Sequence, residues 1–218
     1  MSSNMDSLMM EIKKNSDALH DVAENTGILK KLKEGAVSVE SYSEYLFNLY
    51  EIYKTLEFNL QKHDKNRIVK EFTTMEVYRS EAIYKDLRVL FGSRLSSMKL
   101  LASTKAYIQR LNELSEREPE LLVAHAYTRF LADLFGGRTI YNVLKESCGM
   151  KDEALNYYKY EALDDAEGMK SFIMDYHEKL NLLDIKKSFE EKFINEVSNA
   201  YVYNIAISNE LELSKFNK

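Results

Sequence analysis

Proline and cysteine are nearly missing from this 218-residue chain: Pro119 and Cys148 stand alone, and glycine occurs only seven times. So little turn chemistry excludes an all-β or an alternating α/β fold, both of which need frequent turns rich in Gly and Pro. One cysteine excludes an internal disulfide framework and a cysteine metal cluster, and it fits a reducing compartment. No apolar run approaches the ~20 residues that cross a bilayer. The first thirty residues carry charges of both signs and the last eight read Leu211-Glu212-Leu213-Ser214-Lys215-Phe216-Asn217-Lys218, so neither a signal peptide nor a hydrophobic membrane anchor is expected. Nor is there a basic field, since 30 Lys and Arg against 35 Asp and Glu leave a net charge of -5. A cytoplasmic protein is expected, with neither a nucleic-acid nor a membrane partner.

What remains is helix-forming sequence. A chain that is 45% hydrophobic and 30% charged can bury one substantial core, so residues 1–218 read as a single all-α domain. Apolar spacing predicts a first helix over about 6–24 that ends at Gly27. A long second helix, capped by Ser38, runs to the polar Lys62-His63-Asp64-Lys65-Asn66 segment. Further helices are expected over 67–90 and 103–115, then from Pro119 to near Gly149, and finally over 169–180 and 185–213, with a polar stretch at 150–168.

The costliest local choice is Gly136-Gly137, two adjacent glycines inside an otherwise strong helix. Each costs about 1 kcal/mol relative to alanine there, so the pair predicts a kink or a close approach of backbone to something flat. Asp133 precedes the pair by three and four residues, and Arg129 precedes Asp133 by four. Alone, Arg129 and Asp133 read as an intrahelical ion pair worth a few tenths of a kcal/mol. In the first helix, Lys13, Ser16, His20 and Glu24 recur at spacings of three and four, which stacks them along one line. A lone histidine on an amphipathic helix is usually structural or solvated. Glu24, one turn on, is nevertheless placed to orient the ring of a histidine ligand.

The run Glu118-Pro119-Glu120-Leu121 through Gly137 closely resembles the distal-helix signature of the heme oxygenases, and His20-Asp21-Val22-Ala23-Glu24-Asn25 is similar to their proximal segment. Asn48-Leu49-Tyr50-Glu51-Ile52-Tyr53 and Ala200-Tyr201-Val202-Tyr203-Asn204 resemble further family segments in the same order. The resemblance implies heme b sandwiched between a proximal helix and a kinked distal helix. It makes His20 the iron ligand and Glu24 its orienting partner. By the same match Lys13, Tyr127, Thr128, Ala132 and Asn204 contact the cofactor, while Asp133, Arg129, Tyr53, Gly136 and Gly137 form the catalytic wall. The matching aspartate of the family organises water that delivers a proton during oxygen activation. The implied reaction takes heme, O2 and electrons from a ferredoxin, flavodoxin or flavoprotein reductase to biliverdin, carbon monoxide and ferrous iron. No Gly-x-Gly-x-x-Gly turn follows a strand, so electrons are expected from outside, with Lys13 and Lys14 as docking contacts for an acidic donor. A monomer or weak dimer is expected.

Some positions depart from the family pattern. Ala132 stands where a third glycine is usual and Phe135 where serine is common, adding bulk near the ligand. Ile173 and His177 stand where Lys and Arg commonly bind the heme propionates. Weaker propionate anchoring is therefore expected, with Lys170, His177 or Lys179 able to compensate. A heme carrier or sensor without turnover is the alternative reading. A helical enzyme acting on another small molecule, as in thiamin salvage, is a third, and it leaves His20, Glu24 and the glycine run together unexplained.

Overall fold

The computed structural model describes residues 7–163 and 166–216, with side chains left out at 166 and 214–216. The described residues are helical, without strands, as composition requires. The helices are α1 (Leu8–Glu24), α2 (Gly27–Lys33), α3 (Val39–Lys62), α4 (Ser80–Phe91), α5 (Ala102–Arg117), α6 (Leu122–Ala126), α7 (Ala132–Glu146), α8 (Ala166–Asn181) and α9 (Lys187–Phe216). The expected start of the first helix, Asp6, lies outside the described residues.

α3 is the central rod. Tyr42, Leu46, Ile52, Tyr53, Leu56 and Leu60 along it are completely buried, and α4, α5 and α6 pack around it. Ser38 caps its start, the hydroxyl accepting from the Ser41 amide at 3.1 Å, as the sequence predicts. α9 is the second organiser, packing along α1, α2, α5 and α6.

Gly27 does more than end a helix. Its φ of +58° turns the chain straight into α2, a helix the apolar spacing does not reveal. The expected single helix over 67–90 is also corrected. The structure has 3-10 turns at Val69–Phe72 and Met75–Val77, with regular helix only from Ser80. Two side chains explain the break. Asn66 Oδ1 accepts from the Ile68 and Val69 amides, stopping helical continuation. Glu57, reaching over from α3, accepts from the Arg79 and Ser80 amides and from the Ser80 hydroxyl, and so fixes where α4 starts. Glu210 of α9 does the same for α5, accepting from the Ala102 and Ser103 amides at 3.0 and 2.8 Å.

A break in the regular helical ladder stands just before the glycine pair. Residues Tyr127–Leu131 form a π-helical turn between α6 and α7, and the helix runs on through Gly136 and Gly137 to Glu146. The Thr128 hydroxyl donates to the Ala124 carbonyl at 2.9 Å, competing for the acceptor that an α-helical ladder would use. The polar stretch after Gly149 is not featureless either. Turns at Asp152–Ala154, Asn156–Tyr158 and Glu161–Leu163 drive Leu155, Tyr157 and Tyr160 into the core.

A buried polar cluster joins α5, α6 and α9. His125 contacts Tyr107 Oη at 3.0 Å through Nδ1 and Glu196 at 2.9 Å through Nε2, while Arg110 holds Glu196 at 2.6 Å. Burial alone would raise the Glu196 pKa, but hydrogen bonds from His125 and Arg110 outweigh it and hold the carboxyl at about 2. His125 itself is shifted down by burial, which leaves Arg110 as the dependable cation.

Two outcomes follow from these contacts. A Cβ at Gly27 would lie 2.5 Å from the Ser208 backbone in a left-handed conformation, so Gly27→Ala is expected to cost at least about 2 kcal/mol in urea unfolding. Glu196 has a folded pKa below the unfolded one, so its contribution is complete above the ordinary 4.5 and is lost as pH falls toward 2. Glu196→Gln is therefore expected to lower the thermal midpoint at neutral pH and to flatten its fall between about pH 5 and pH 2.

Candidate active site

α1 packs its buried line, Leu8, Ile12, Ser16 and Ala23, inward. Ser16, expected beside Lys13 and His20, instead donates to the Ile12 carbonyl at 2.9 Å in the core. The outward line is Lys13, Asp17, His20 and Glu24, with the His20 side chain 47% exposed. Burial raises the phenol pKa values of Tyr127 and Tyr201, and the charge of Asp17 adds to both, behind the effect of Tyr201 at Tyr127, so this face of α1 looks across to the π-turn and α9.

Glu24 stands where orientation of His20 requires it, its carboxylate 3.4 Å from Nε2. Lys33 holds the other carboxylate oxygen at 2.8 Å, and this hydrogen bond first, then the charge of His20, draws the Glu24 pKa down. The Tyr201 ring meets His20 edge-on at 6.0 Å. Nε2 is thus the nitrogen engaged by Glu24, which in this rotamer leaves Nδ1 as the nitrogen open to a metal.

On α7, Ala132, Phe135 and Thr139 are exposed and Gly136 is half-buried, forming one line at helical spacing. The two glycines do different work. A Cβ at Gly136 would meet nothing within 4 Å, whereas one at Gly137 would press to 3.3 Å from the Tyr158 ring. Gly136 leaves bare backbone at one point of the outward line, and Gly137 admits an aromatic ring from behind. The side chain of Phe135 is carried outward, the residue being 65% exposed.

Behind that line lies a charged network. Asp133 Oδ1 accepts from Arg129 Nη2 at 3.3 Å, and Arg129 Nη1 donates to Asn204 Oδ1 at 2.8 Å. The Tyr157 hydroxyl donates to Asp133 Oδ2 at 2.6 Å and accepts from Arg129 Nη2 at 3.4 Å. Burial pushes the Asp133 carboxyl up to about 8, against the pull of the Tyr157 hydrogen bond. Burial opposes the charge of Arg129, but the phenol oxygens of Tyr157, Tyr45 and Tyr107 more than offset this and raise its pKa. Arg129 lies over the Tyr53 ring at 5.3 Å, which stacks on Phe130 and meets Tyr157 edge-on. Tyr53 Oη and Arg129 Nε are buried without a protein hydrogen-bond partner among the described residues, and both suit ordered water.

The structure thus brings Arg129, Asp133, Tyr53 and Asn204 together, with Gly136 on the same helix. Thr128 is buried with its hydroxyl donating to the Ala124 carbonyl, and the Asn204 amide oxygen accepts from Arg129. Ala132, by contrast, is exposed on the outward line of α7. His63 contacts Ser115, and His125 is enclosed by Tyr107 and Glu196, which leaves His20 as the exposed candidate ligand. His177 sits beside Tyr127, ring centroids 6.4 Å apart, whereas Lys179 is paired with Asp175 at 2.8 Å and Ile173 packs on the core. Tyr157 was not legible as a site residue. The one sign of it is three tyrosines in Tyr157-Tyr158-Lys159-Tyr160, apolar bulk in an otherwise polar connection.

An exposed histidine beside a carboxylate on α1, and a glycine-bearing strip of α7 backed by the Asp133 and Arg129 network, are the candidate site of this all-helical protein. The sequence model for heme oxygenase matches residues 6–210, and this chain belongs to the heme oxygenase family. It is 32% identical over 213 residues to heme oxygenase 1 of Synechocystis, covering 97% of this chain and 86% of that protein. The crystal structure of heme oxygenase-1 from that cyanobacterium in complex with heme superposes with a TM-score of 0.90, at 29% identity, over 97% of this chain and 95% of that one. Heme oxygenase-2 from Synechocystis, in complex with heme and NO, gives 0.91 at 28% identity, over 97% and 88%. No helix among the described residues is long and apolar enough to cross a membrane.

The division of labour between the glycines is measurable in the heme-free protein. Gly136→Ala is expected to stabilise it by about 1 kcal/mol in urea unfolding, through helix propensity alone. Gly137→Ala is expected to forfeit that gain because Tyr158 must move.

Proposed function

We propose that this member of the oxidoreductase family of heme oxygenases cleaves heme b as a single 1–218 domain, monomeric or weakly dimeric. The observation that carries this reading is the pairing of an exposed His20 beside Glu24 on α1 with an outward, glycine-bearing strip of α7 backed by Asp133 and Arg129. When bound, heme supplies both the iron that activates O2 and the porphyrin that is cleaved to biliverdin, carbon monoxide and ferrous iron, with electrons from a ferredoxin, flavodoxin or flavoprotein reductase.

The residues fit that group. His20 would hold the iron through the ring nitrogen that Glu24 leaves free, with Glu24 fixing the ring. Ala132 and Gly136 let the α7 backbone close over a planar ring. Lys13, on the outward line of α1, and His177 beside Tyr127 serve the propionate edge. Asp133 holds a proton at neutral pH because burial keeps its pKa near 8, and it orders water together with Tyr53 Oη and Arg129. A group that loads and releases its proton close to the working pH is suited to general acid work.

The test is a visible-spectrum time course with one equivalent of hemin, a ferredoxin reductase system and catalase. Loss of the heme band with carbon monoxide release and a biliverdin isomer is expected; a stable complex that is never degraded would leave a heme carrier or sensor instead. Asp133→Asn is expected to bind hemin like the wild type while forming product on the order of 100-fold more slowly, read by product chromatography.

A further inference from the structure

The carboxylate at the centre of the site is held by a residue that lies outside the glycine helix. Tyr157 is 3% exposed, and its hydroxyl stands 2.6 Å from Asp133 Oδ2. A phenol reaches that position only if its short turn, Asn156–Tyr158, is fixed against the rest of the core. Asp86 of α4, completely buried, does this. Its Oδ1 accepts from the Asn156 backbone amide at 2.8 Å and from Asn156 Nδ2 at 2.7 Å, and its Oδ2 accepts from the Tyr157 amide at 2.8 Å. Three hydrogen bonds to one carboxylate are far more than chance packing of a surface turn requires, and each is charge-assisted if Asp86 is ionised.

We propose that Tyr157 is a positioning residue for Asp133, and that Asp86 sets Tyr157 in place by clamping the backbone of its turn. The line of contact runs from α4, through the connection between α7 and α8, to the carboxylate on α7. Without the Tyr157 hydroxyl, Asp133 retains only the longer 3.3 Å contact to Arg129, and its carboxyl is free to rotate. The proposal builds on the reading of Asp133 as the residue that orders water over the heme.

Proton affinity reports this contact directly. The groups facing Asp133 are Arg129 on its own helix, Tyr157, Tyr158 and Tyr160 on the connection, and Tyr42 and Tyr45 on α3. Burial raises the pKa of each of these phenols, and Arg129 stays charged, so among them Asp133 alone titrates near neutrality. A hydrogen bond to a carboxylate favours the ionised form, so its loss raises the midpoint.

The experiment is NMR titration of the heme-free protein carrying 13C-labelled aspartate carboxyls, with the Asp133 resonance assigned by its absence in Asp133→Asn. Tyr157→Phe, which keeps the ring and leaves the Asp86 clamp intact, is expected to move the Asp133 midpoint up by about one pH unit. Asp86→Asn is expected to move it in the same direction by less. If that variant fails to fold, Asn156→Ala, which removes one of the three bonds to Asp86, is expected to give the same smaller rise. An unchanged midpoint in Tyr157→Phe overturns the role of Tyr157; a rise there with no change in either clamp variant overturns the role of Asp86. In the heme-loaded enzyme, the pH profile of turnover is expected to shift with the midpoint. Failure to cleave heme at all would overturn the oxygenase reading, while the midpoint still decides the Tyr157 contact.

Discussion

A guanidinium enclosed by tyrosine rings must be balanced where it sits, and Arg129 imposes that demand on the whole middle of the molecule. Removing such a charge from water costs several kcal/mol unless hydrogen bonds and counter-charge replace the solvent. The replacements come from three places: Asp133 one turn along the same helix, Asn204 on α9, and Tyr157 on the connection after α7. Tyr53 of α3 adds its ring face. One side chain therefore ties together the distal face, the central rod, the last helix and the turn at Asn156–Tyr158.

The same arrangement explains why a carboxylate can stay protonated near neutrality beside a permanent cation. Asp133 is drawn toward ionisation by its hydrogen bond from Tyr157 and away from it by burial, and burial prevails. Arg129 spreads its donors over Asn204, Tyr157 and Asp133 rather than forming a tight bidentate pair with Asp133. Had both nitrogens closed on the carboxylate, the proton would be lost and the group would be a structural ion pair.

Much of this was legible in the sequence, because its signals are local. The scarcity of Gly and Pro excluded sheet folds, Ser38 marked a helix start, and Gly136-Gly137 next to Asp133 marked a special face. The Arg129 and Asp133 contact also follows from i,i+4 spacing. What was hidden depends on contacts distant in sequence. Periodicity carries no trace of the Glu57 cap 22 residues before Arg79 or of the Asp86 clamp 70 residues before Asn156. The π-turn was hidden for a different reason: the glycines were the obvious weak point, yet the ladder shifts register where Thr128 takes the Ala124 carbonyl. Ser16 shows the limit of reading a helix face from spacing, since one step of three rather than four carried it across the boundary into the core.

The borrowed caps of α4 and α5 bear on how the molecule holds together. Neither helix begins on a side-chain cap of its own; Glu57 of α3 and Glu210 of α9 satisfy their leading amides. In an isolated segment those amides would be left to water, and the first turn would fray. Their ends become defined only once the central rod and the last helix have docked. Assembly is therefore a non-local, cooperative event, in which tertiary structure writes the boundaries of secondary structure rather than inheriting them.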